Sequence, residues 1–262
     1  MVSDEVGAEP ILSARGVRKV YRSGLGEVEA LRSVNLDIAA GELVMVMGPS
    51  GNGKTTLLNC LSGLDDIDEG TVHIDGLDLH AVPDAQRTDH RARRMGFVFQ
   101  AFNLIPVFSS AENVELPLLV TGVRPKEARQ RADAILARVG LQGRAEHKPR
   151  ELSGGEQQRV AIARALVAEP AIVWADEPTG NLDSHTATEV LDLLFEVHGA
   201  GQTLVVITHD RGIGAEGQRL VQVLDGTIAY DGPPAGHLDA ADTHLDHHPA
   251  VAAAGSPDTP AP

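Results

Sequence analysis

The stretch that most constrains the fold is residues 48–56, Gly-Pro-Ser-Gly-Asn-Gly-Lys-Thr-Thr. It fits the pattern G-x-x-x-x-G-K-[ST], in which a glycine-rich loop curls so that its backbone N–H groups point at phosphate oxygens. An apolar run at residues 43–47 precedes the loop, and leucines at helical spacing follow it. We therefore predict a phosphate-binding loop between a buried strand and a helix, with Lys54 on the β- and γ-phosphates and the Thr55 hydroxyl on Mg²⁺.

All nine residues of the loop are candidate ligands of the nucleotide: Gly48, Pro49, Ser50, Gly51, Asn52, Gly53, Lys54, Thr55 and Thr56.

The charge balance limits the choice of partner. The chain of 262 residues carries 22 Lys and Arg against 37 Asp and Glu, a formal net charge of −15. This balance argues against non-specific nucleic-acid binding and against a polybasic membrane anchor. Cys60 is the only cysteine, so an internal disulfide is excluded and a reducing compartment is expected. There is no apolar run of about 18 residues and no signal-peptide pattern, so we expect a cytoplasmic chain whose membrane spans, if needed, come from another protein.

Periodicity and turn residues divide the chain into alternating elements. Strands are predicted within residues 11–47, as a hairpin at 70–79, at 96–99, 171–175 and 202–208, and as a final hairpin at 219–230. Helices are predicted at 83–94, at 111–120 with an interruption at Pro117, and at 125–140, 157–168 and 188–198.

Two further patterns suggest phosphate chemistry. Leu152-Ser153-Gly154-Gly155-Glu156 opens a helix and forms a second turn with backbone N–H groups at a helix N-terminus. Asp176 and Glu177 follow the apolar strand at residues 171–175. Acids at the carboxyl end of a buried strand are where folds of this kind hold Mg²⁺.

Phenylalanine is concentrated in one part of the chain. Four of the five lie between residues 97 and 108. Phe97 and Phe99 share one strand face and are predicted to be core residues. Phe102 and Phe108 belong to an apolar loop, residues 101–108, which must be covered either by the chain's own helices or by a partner.

Residues 233–262 are rich in Ala, Pro, Asp and His and are predicted to be a disordered tail. His244 and His248 would bind a metal only if this segment were helical; a solvated tail is the favoured alternative.

Tyr21 lies where an aromatic ring would stack on a base, although a half-buried strand residue is the simpler explanation.

Together these pieces resemble the nucleotide-binding subunit of an ATP-binding cassette (ABC) transporter. The resemblance spans residues 12–230 and rests on seven motifs in the family's order. These are Tyr21, the phosphate loop, Gln100, the signature sequence 152–159, the Walker B strand 172–177, the D-loop 180–183 and His209. The sequence around 97–106, 112–118 and 179–184 is similar to the group of lipoprotein-releasing, macrolide-exporting and cell-division ATPases.

The resemblance implies an α/β fold: a P-loop NTPase (RecA-like) core, an antiparallel β subdomain and an inserted α-helical signature subdomain. The ATP-binding domain would cover residues 11–232, and the helical subdomain about 101–165.

The resemblance also implies a role for each matching residue. Tyr21 would stack on adenine, and Thr55, Gln100 and Asp176 would meet Mg²⁺. Gln100 would also sense the attacking water, and Glu177 would be the general base. His209 would hold Glu177 and the γ-phosphate in register, and Lys54 would bind the phosphates.

In the family's architecture the signature residues bind the nucleotide of a partner chain. Ser153, Gly154, Gly155 and Asp183 would contribute in this way, so one set per chain implies a head-to-tail homodimer or heterodimer with two ATPs at its interface. A transmembrane permease is expected to dock near residues 100–108 and to hold the chain on the inner face of the cell membrane. The implied function is ATP hydrolysis that drives export or extraction of a lipid, lipoprotein, peptide or drug.

Other functions of the family fit less well. A cassette ATPase of translation would carry two motif sets, and a chromosome-maintenance ATPase would carry a long coiled coil between Gln100 and Ser153. A cell-division regulator that signals across the membrane without transport remains an open alternative.

Three positions depart from the family pattern. Asn52 replaces a serine and is expected to face outward, Trp174 replaces a smaller aliphatic residue, and residues 212–218 are glycine-rich and lack the usual aspartate.

Overall fold

The computed structural model of the chain describes residues 10–24 and 26–237. The strands are β1 (Leu12–Ser23), β2 (Gly26–Ile38), β3 (Leu43–Met47), β4 (Glu69–Ile74), β5 (Leu77–Asp78), β6 (Met95–Phe99), β7 (Ile172–Asp176), β8 (Thr203–Ile207), β9 (Arg219–Leu224) and β10 (Thr227–Gly232). The helices are α1 (Lys54–Leu61), α2 (Asp84–Arg94), α3 (Ser110–Val120), α4 (Pro125–Arg138), α5 (Gly154–Leu166), α6 (Ser184–Gly199) and α7 (Arg211–Ala215).

The strands form two sheets. An antiparallel sheet has the order β2-β1-β4-β5, and a six-stranded sheet has the order β10-β9-β3-β8-β7-β6. Within the larger sheet β6, β7, β8, β3 and β9 run parallel, and β10 pairs antiparallel with β9. The two sheets confirm the predicted fold class, an α/β core with an antiparallel β subdomain.

The parallel sheet separates two apolar cores. On one face, Val44, Val46 and Trp174 pack with α1 and the antiparallel sheet. On the other face, Met45 and Val173 pack with the helices that follow β6 and β7. Because the central strands are buried on both faces, their sequences are continuous apolar runs rather than alternating ones.

Two helices begin earlier than the sequence pattern indicated, because polar residues cap them. The Ser153 hydroxyl accepts from the Glu156 N–H at 3.2 Å, and the Ser153 N–H donates to the Glu156 carboxylate at 2.8 Å. This capping box starts α5 at Gly154 rather than at residue 157. Asp183 caps α6 in the same position by accepting from the Thr186 N–H.

The predicted interruption at Pro117 is wrong, because α3 continues from Ser110 to Val120 with Pro117 inside it. A capping box between Ser109 and Glu112 fixes the start of the helix, and Val114 and Leu118 are buried on either side of the proline. These contacts offset the one backbone hydrogen bond that proline cannot donate. The predicted tail histidines, His244 and His248, lie outside the described residues.

A close approach between backbones joins β6 to α5. A Cβ added to Gly96 would lie 2.3 Å from the carbonyl oxygen of Ala165. Only glycine therefore allows the strand that leads to Gln100 to pack directly on the helix that begins at the signature turn. Among the described residues, no helix combines the length and the apolar character needed to cross a bilayer.

We expect Gly96→Ala to lower the free energy of unfolding by about 1–3 kcal/mol, because the added methyl group forces β6 and α5 apart. Gly143→Ala is the matched control, since a Cβ there would meet nothing within 4 Å. Urea denaturation of both variants measures the difference. Equal stability of the two would contradict the proposed close packing.

Candidate functional site

The parallel strands bring the predicted catalytic and metal-binding residues to one edge of the sheet. The phosphate loop follows β3, Gln100 follows β6, Asp176 ends β7, and His209 lies two residues beyond the end of β8. Strand register sets their alignment, with Asp176 opposite both Phe99 and Ile207. A cavity of about 620 Å³ opens at this edge, a size typical of small-molecule sites. It is lined by Tyr21, Val28, Glu29, Ala30, Arg32, Ser50, Gly51, Asn52, Gly53, Lys54, Thr55, Thr56, Gln100, Asp176, Glu177, Ile207, Asp225 and Gly226.

The loop between β3 and α1 has the geometry of a phosphate cradle. Gly48, Gly51 and Gly53 have φ angles of 151°, 79° and 98°, values that favour glycine over residues with a Cβ. Lys54 Nζ donates to the carbonyl oxygens of Gly48 and Pro49 at 2.7 and 2.9 Å, so its charge lies over the loop. The first turn of α1 contributes unpaired N–H groups and the positive end of its dipole.

The expectation that Asn52 faces outward is wrong. Its Oδ1 accepts from the Asp225 N–H at 2.8 Å, and its carbonyl oxygen accepts from the Gly226 N–H at 3.3 Å. The turn between β9 and β10 therefore supports the phosphate loop from behind. Gly226 in turn accepts from the Arg32 N–H at 2.8 Å, which adds β2 to the same junction.

The donor set beside the loop fits Mg²⁺. Thr55 Oγ1 lies 3.4 Å from Asp176 Oδ2, and Gln100 lines the same cavity. Burial raises the pKa of Asp176, as does the nearby carboxylate of Glu177, while the Thr55 hydroxyl opposes the shift. A buried carboxylate of this kind is stabilised by a cation. The described residues contain no cluster of three or more His, Cys, Asp or Glu ligands.

Glu177 lines the cavity and pairs with His209 beside it. His209 Nδ1 lies 2.8 Å from Glu177 Oε1. An ionised carboxylate only accepts, so Nδ1 carries the proton in this contact. The Glu177 side chain is 20% exposed, whereas His209 is 75% exposed. Glu177 has a φ of 47°, and its N–H donates to the Ile207 carbonyl at 3.0 Å. Its unusual backbone conformation is therefore held by the neighbouring strand β8.

Tyr21 is positioned as a partly exposed platform at the rim of the cavity. It is 42% exposed, and its hydroxyl donates to Asp65 at 2.8 Å. Lys19 Nζ lies 5.0 Å from the ring centroid and donates to the same carboxylate at 2.7 Å. Although burial opposes it, donation from Lys19 and Tyr21 holds the pKa of Asp65 below its usual value. The contacts with Lys19 and Asp65 therefore fix the orientation of the Tyr21 ring.

The signature residues lie together but away from this cavity. A Cβ added to Gly155 would come within 2.3 Å of Thr186 Cγ2, so α5 and α6 start against each other. Asp183 accepts from the Thr186 N–H and hydroxyl at 3.0 and 2.7 Å. None of Ser153, Gly154, Gly155 or Asp183 lines the cavity of its own chain. This separation agrees with the expectation that these residues act on a partner's nucleotide.

Several contacts that hold the site were not predicted from the sequence. Lys19 and Asp65 fix Tyr21, and Asn181 donates to the Gln100 carbonyl at 2.9 Å. Gln158 and Arg164 bond to backbone carbonyls near Gln100. None of these contacts joins neighbours in sequence, so no local pattern reports them.

The comparisons with known proteins agree with this geometry. The family model described as ABC transporter matches residues 31–180. An uncharacterised ABC transporter ATP-binding protein of Thermotoga maritima is 48% identical over 212 residues, covering 81% of this chain and 91% of that protein. The lipoprotein-releasing system ATP-binding protein LolD of Bacteroides thetaiotaomicron is 45% identical, covering 84% of this chain and 100% of that protein.

Two further matches differ in kind. The macrolide export ATP-binding/permease protein MacB of Nitrosomonas europaea is 45% identical over 88% of this chain, which spans only 35% of that longer protein. The solved dimeric structure of the ATP-binding cassette MJ0796, in a post-hydrolysis state with ADP and Pi, superposes with a TM-score of 0.78. It is 43% identical and covers 86% of this chain and 99% of that one.

Trp174, the only tryptophan, provides an internal probe of the site. It is 1% exposed on β7, two residues before Asp176, and it lines a small internal void together with Lys54. We expect the tryptophan emission of Glu177→Gln protein to change on addition of Mg-ATP, because charge added beside Lys54 and Asp176 alters the field at the indole. Magnesium alone and Lys54→Ala protein are the controls. An unchanged spectrum at saturating nucleotide would contradict this closeness.

Proposed function

The chain belongs to the ABC transporter family as an ATP-binding, ATP-hydrolysing subunit, and we propose that it drives a separate membrane permease in an export system. The observation that carries this proposal is the convergence of the phosphate loop, Asp176 and Glu177 on one cavity, with His209 bonded to Glu177 beside it. Relatives named for lipoprotein release and macrolide export favour a lipid, lipoprotein, peptide or drug as cargo over the signalling alternative. The chain would then be held at the inner face of the cell membrane by that permease.

The proposed roles follow from the positions of the side chains. Tyr21 stacks on adenine, the loop N–H groups hold the phosphates, and Lys54 balances their charge. Thr55 and Asp176, with Gln100 nearby, would hold Mg²⁺, which neutralises charge on the β- and γ-phosphates when bound. Glu177 accepts a proton from the attacking water, and His209 orients the Glu177 carboxylate through its Nδ1–H.

The signature turn supplies the second half of the site. Ser153 and the N–H groups at the start of α5 form an anion-binding N-terminus that does not line the chain's own cavity. We propose that Ser153, Gly154, Gly155 and Asp183 close over the nucleotide of a second cassette, in a head-to-tail dimer with two ATPs. The dimeric state of the related cassette MJ0796 supports this arrangement.

We expect Glu177→Gln to lower kcat about 10²- to 10⁴-fold and to leave ATP binding intact, because only the proton acceptor is lost. The closed dimer should also persist in ATP, since the step that opens it is slowed. Phosphate release and light scattering measure the two effects. Glu196→Gln, an exposed residue of α6, is the matched control. Normal turnover in Glu177→Gln protein would refute the assignment.

An apolar groove beside β6 supports a more specific proposal for permease docking. Phe97 and Phe99, predicted as core, are only partly buried, with their rings stacked at 5.9 Å. They line an apolar groove of about 410 Å³ between β6 and helices α2, α3 and α5. Leu64 and Val120, at its rim, are 45% and 66% exposed. Phe102, in contrast, faces the signature turn, where its Cζ would lie 3.9 Å from a Cβ on Gly154.

We therefore propose that an apolar helix of the permease sits in this groove, which reaches residues 100–108 at Asn103. A permease helix in the groove would contact Phe99, the residue immediately before Gln100. Movement of the permease helix and the nucleotide state of the cavity would then be coupled through β6. The Phe102 and Phe108 side of the loop is the competing contact surface.

Two matched substitutions separate the groove from the loop. Val120 in the groove and Val107 in the loop are 66% and 69% exposed. We expect Val120→Glu to reduce co-purification with the permease at least ~10-fold, because docking would bury an unpaired carboxylate. Basal ATPase and thermal stability of the free subunit should remain unchanged. If Val107→Glu disrupts the complex and Val120→Glu does not, the loop is the docking surface instead.

A further inference from the structure

Gln158, on the signature helix α5, is a fully buried amide with two backbone partners. It is 0% exposed. Its Nε2 lies 2.5 Å from the Pro178 carbonyl oxygen and 3.4 Å from the Phe99 carbonyl oxygen. These partners are 20 and 59 residues away along the chain. One side chain therefore joins α5 to the end of β6 and to the segment that follows β7.

The chemistry of this contact requires an amide nitrogen. Both partners are carbonyl oxygens, which only accept, and a single NH₂ group supplies two N–H donors. Gln158 Oε1 is buried without a hydrogen-bond partner among the described residues. A buried unpaired acceptor is unfavourable, so this side chain contributes through its nitrogen and not through its oxygen.

The two carbonyls flank the groups proposed to handle the attacking water. Phe99 immediately precedes Gln100, and Pro178 immediately follows Glu177. The Phe99 carbonyl lies in the same planar peptide unit as the Gln100 N–H, so a shift of this carbonyl moves Gln100. The Pro178 carbonyl is separated from Glu177 by one Cα, and the proline ring fixes φ there, so its position is coupled to the Glu177 backbone. Gln158 thus ties the backbones of Gln100 and Glu177 to the same helix.

Neighbouring contacts make this attachment stiff. Asn181 Nδ2 donates to the Gln100 carbonyl at 2.9 Å. Arg164, also on α5, donates to the Phe102 and Asn103 carbonyls at 2.8 and 2.5 Å. Phe102 and Asn103 have φ angles of 59° and 51°, a strained region that requires such support. The segment containing Gln100 is therefore held by α5 on both sides.

We propose that Gln158 is a positioning residue for ATP hydrolysis: it carries Gln100 and Glu177 with α5, so that the position of the signature turn sets the geometry of the water-activating groups. This inference rests on the proposed function, in which the N-terminus of α5 contacts the partner's nucleotide. When the signature turn closes over the partner's nucleotide, the resulting movement of α5 is transmitted to Glu177 of the same subunit through the Gln158 amide.

The test is Gln158→Met, which keeps the length of the side chain and removes both donors. We expect kcat to fall ~10- to 100-fold with the KM for ATP within about twofold, since the water-activating groups are displaced and the phosphate loop is not. The matched control is Gln202→Met. Gln202 Nε2 also bridges two backbone carbonyls, those of Pro170 and Thr203 at 3.0 and 3.2 Å, at the opposite end of the sheet.

A double-mutant cycle distinguishes positioning from general stability. If Gln158 acts through Glu177, the Gln158→Met change should slow Glu177→Gln protein much less than it slows the wild type, in single-turnover assays. Multiplicative losses, or a wild-type kcat in Gln158→Met protein, would overturn the inference. Normal hydrolysis by Glu177→Gln alone would instead refute the proposed function, so the two failures are distinguishable.

Gln158→Asn is the second variant, should the methionine protein fail to fold. It retains the NH₂ group but is shorter by one methylene, so it cannot span both carbonyls. The same split between kcat and KM is expected. Loss of folding in both variants, with Gln202→Met intact, would assign the amide to fold stability and overturn the positioning role.

Discussion

Parallel pairing of β3, β8, β7 and β6 is the constraint on which the rest of the structure depends. Each of these strands ends at the same edge of the sheet, and each delivers a functional segment there: the phosphate loop, His209, Asp176 with Glu177, and Gln100. Hydrogen-bonded register places Asp176 level with both Phe99 and Ile207. A slip of one residue in any strand would turn its buried side chains to the other face, so packing of both cores fixes the site.

The helical part of the chain is attached to this edge by a few specific contacts. Gly96 lets β6 touch α5, and Gln158 and Arg164 extend from α5 to the segment around Gln100. The amide and guanidinium groups bond to backbone carbonyls rather than to other side chains. Their contacts therefore transmit the position of the helix to the main chain itself. The same helix begins at the signature turn. The signature turn and the side chains that hold the Gln100 segment therefore belong to one rigid helix.

The groove beside β6 differs in character from the nucleotide cavity. Phe97 and Phe99 form the floor of an apolar groove, and Leu64 and Val120 form its rim. The chain has a net charge of −15 and few aromatic residues. Two of these aromatic residues lie together on β6, the strand that leads to Gln100, where a partner would exclude water. Docking and catalysis would then share β6, one through its side chains and the other through its carboxyl end.

The sequence by itself determined the parts of the protein that depend on contiguous residues. The loop at 48–56 was identified for two reasons: its backbone geometry requires glycines, and its Lys-Thr pair stands at a fixed spacing from them. The buried strands were identified because burial on both faces requires apolar runs. Asp176 and Glu177 could be placed at a sheet edge because they follow such a run directly. The order of these pieces carried the resemblance to a known family, and that resemblance implied the fold class.

Only the tertiary structure decided which residues meet across the chain. Asn52 turns toward Asp225, Tyr21 is held by Asp65, and Gln158 joins Phe99 to Pro178. Phe97 lines a groove because helices α2, α3 and α5 leave part of its side chain uncovered. Periodicity reports which face of an element is apolar, but not what lies against it. Contacts between residues 20 to 173 positions apart are set by the packing of the sheets and helices, and local sequence carries no record of them.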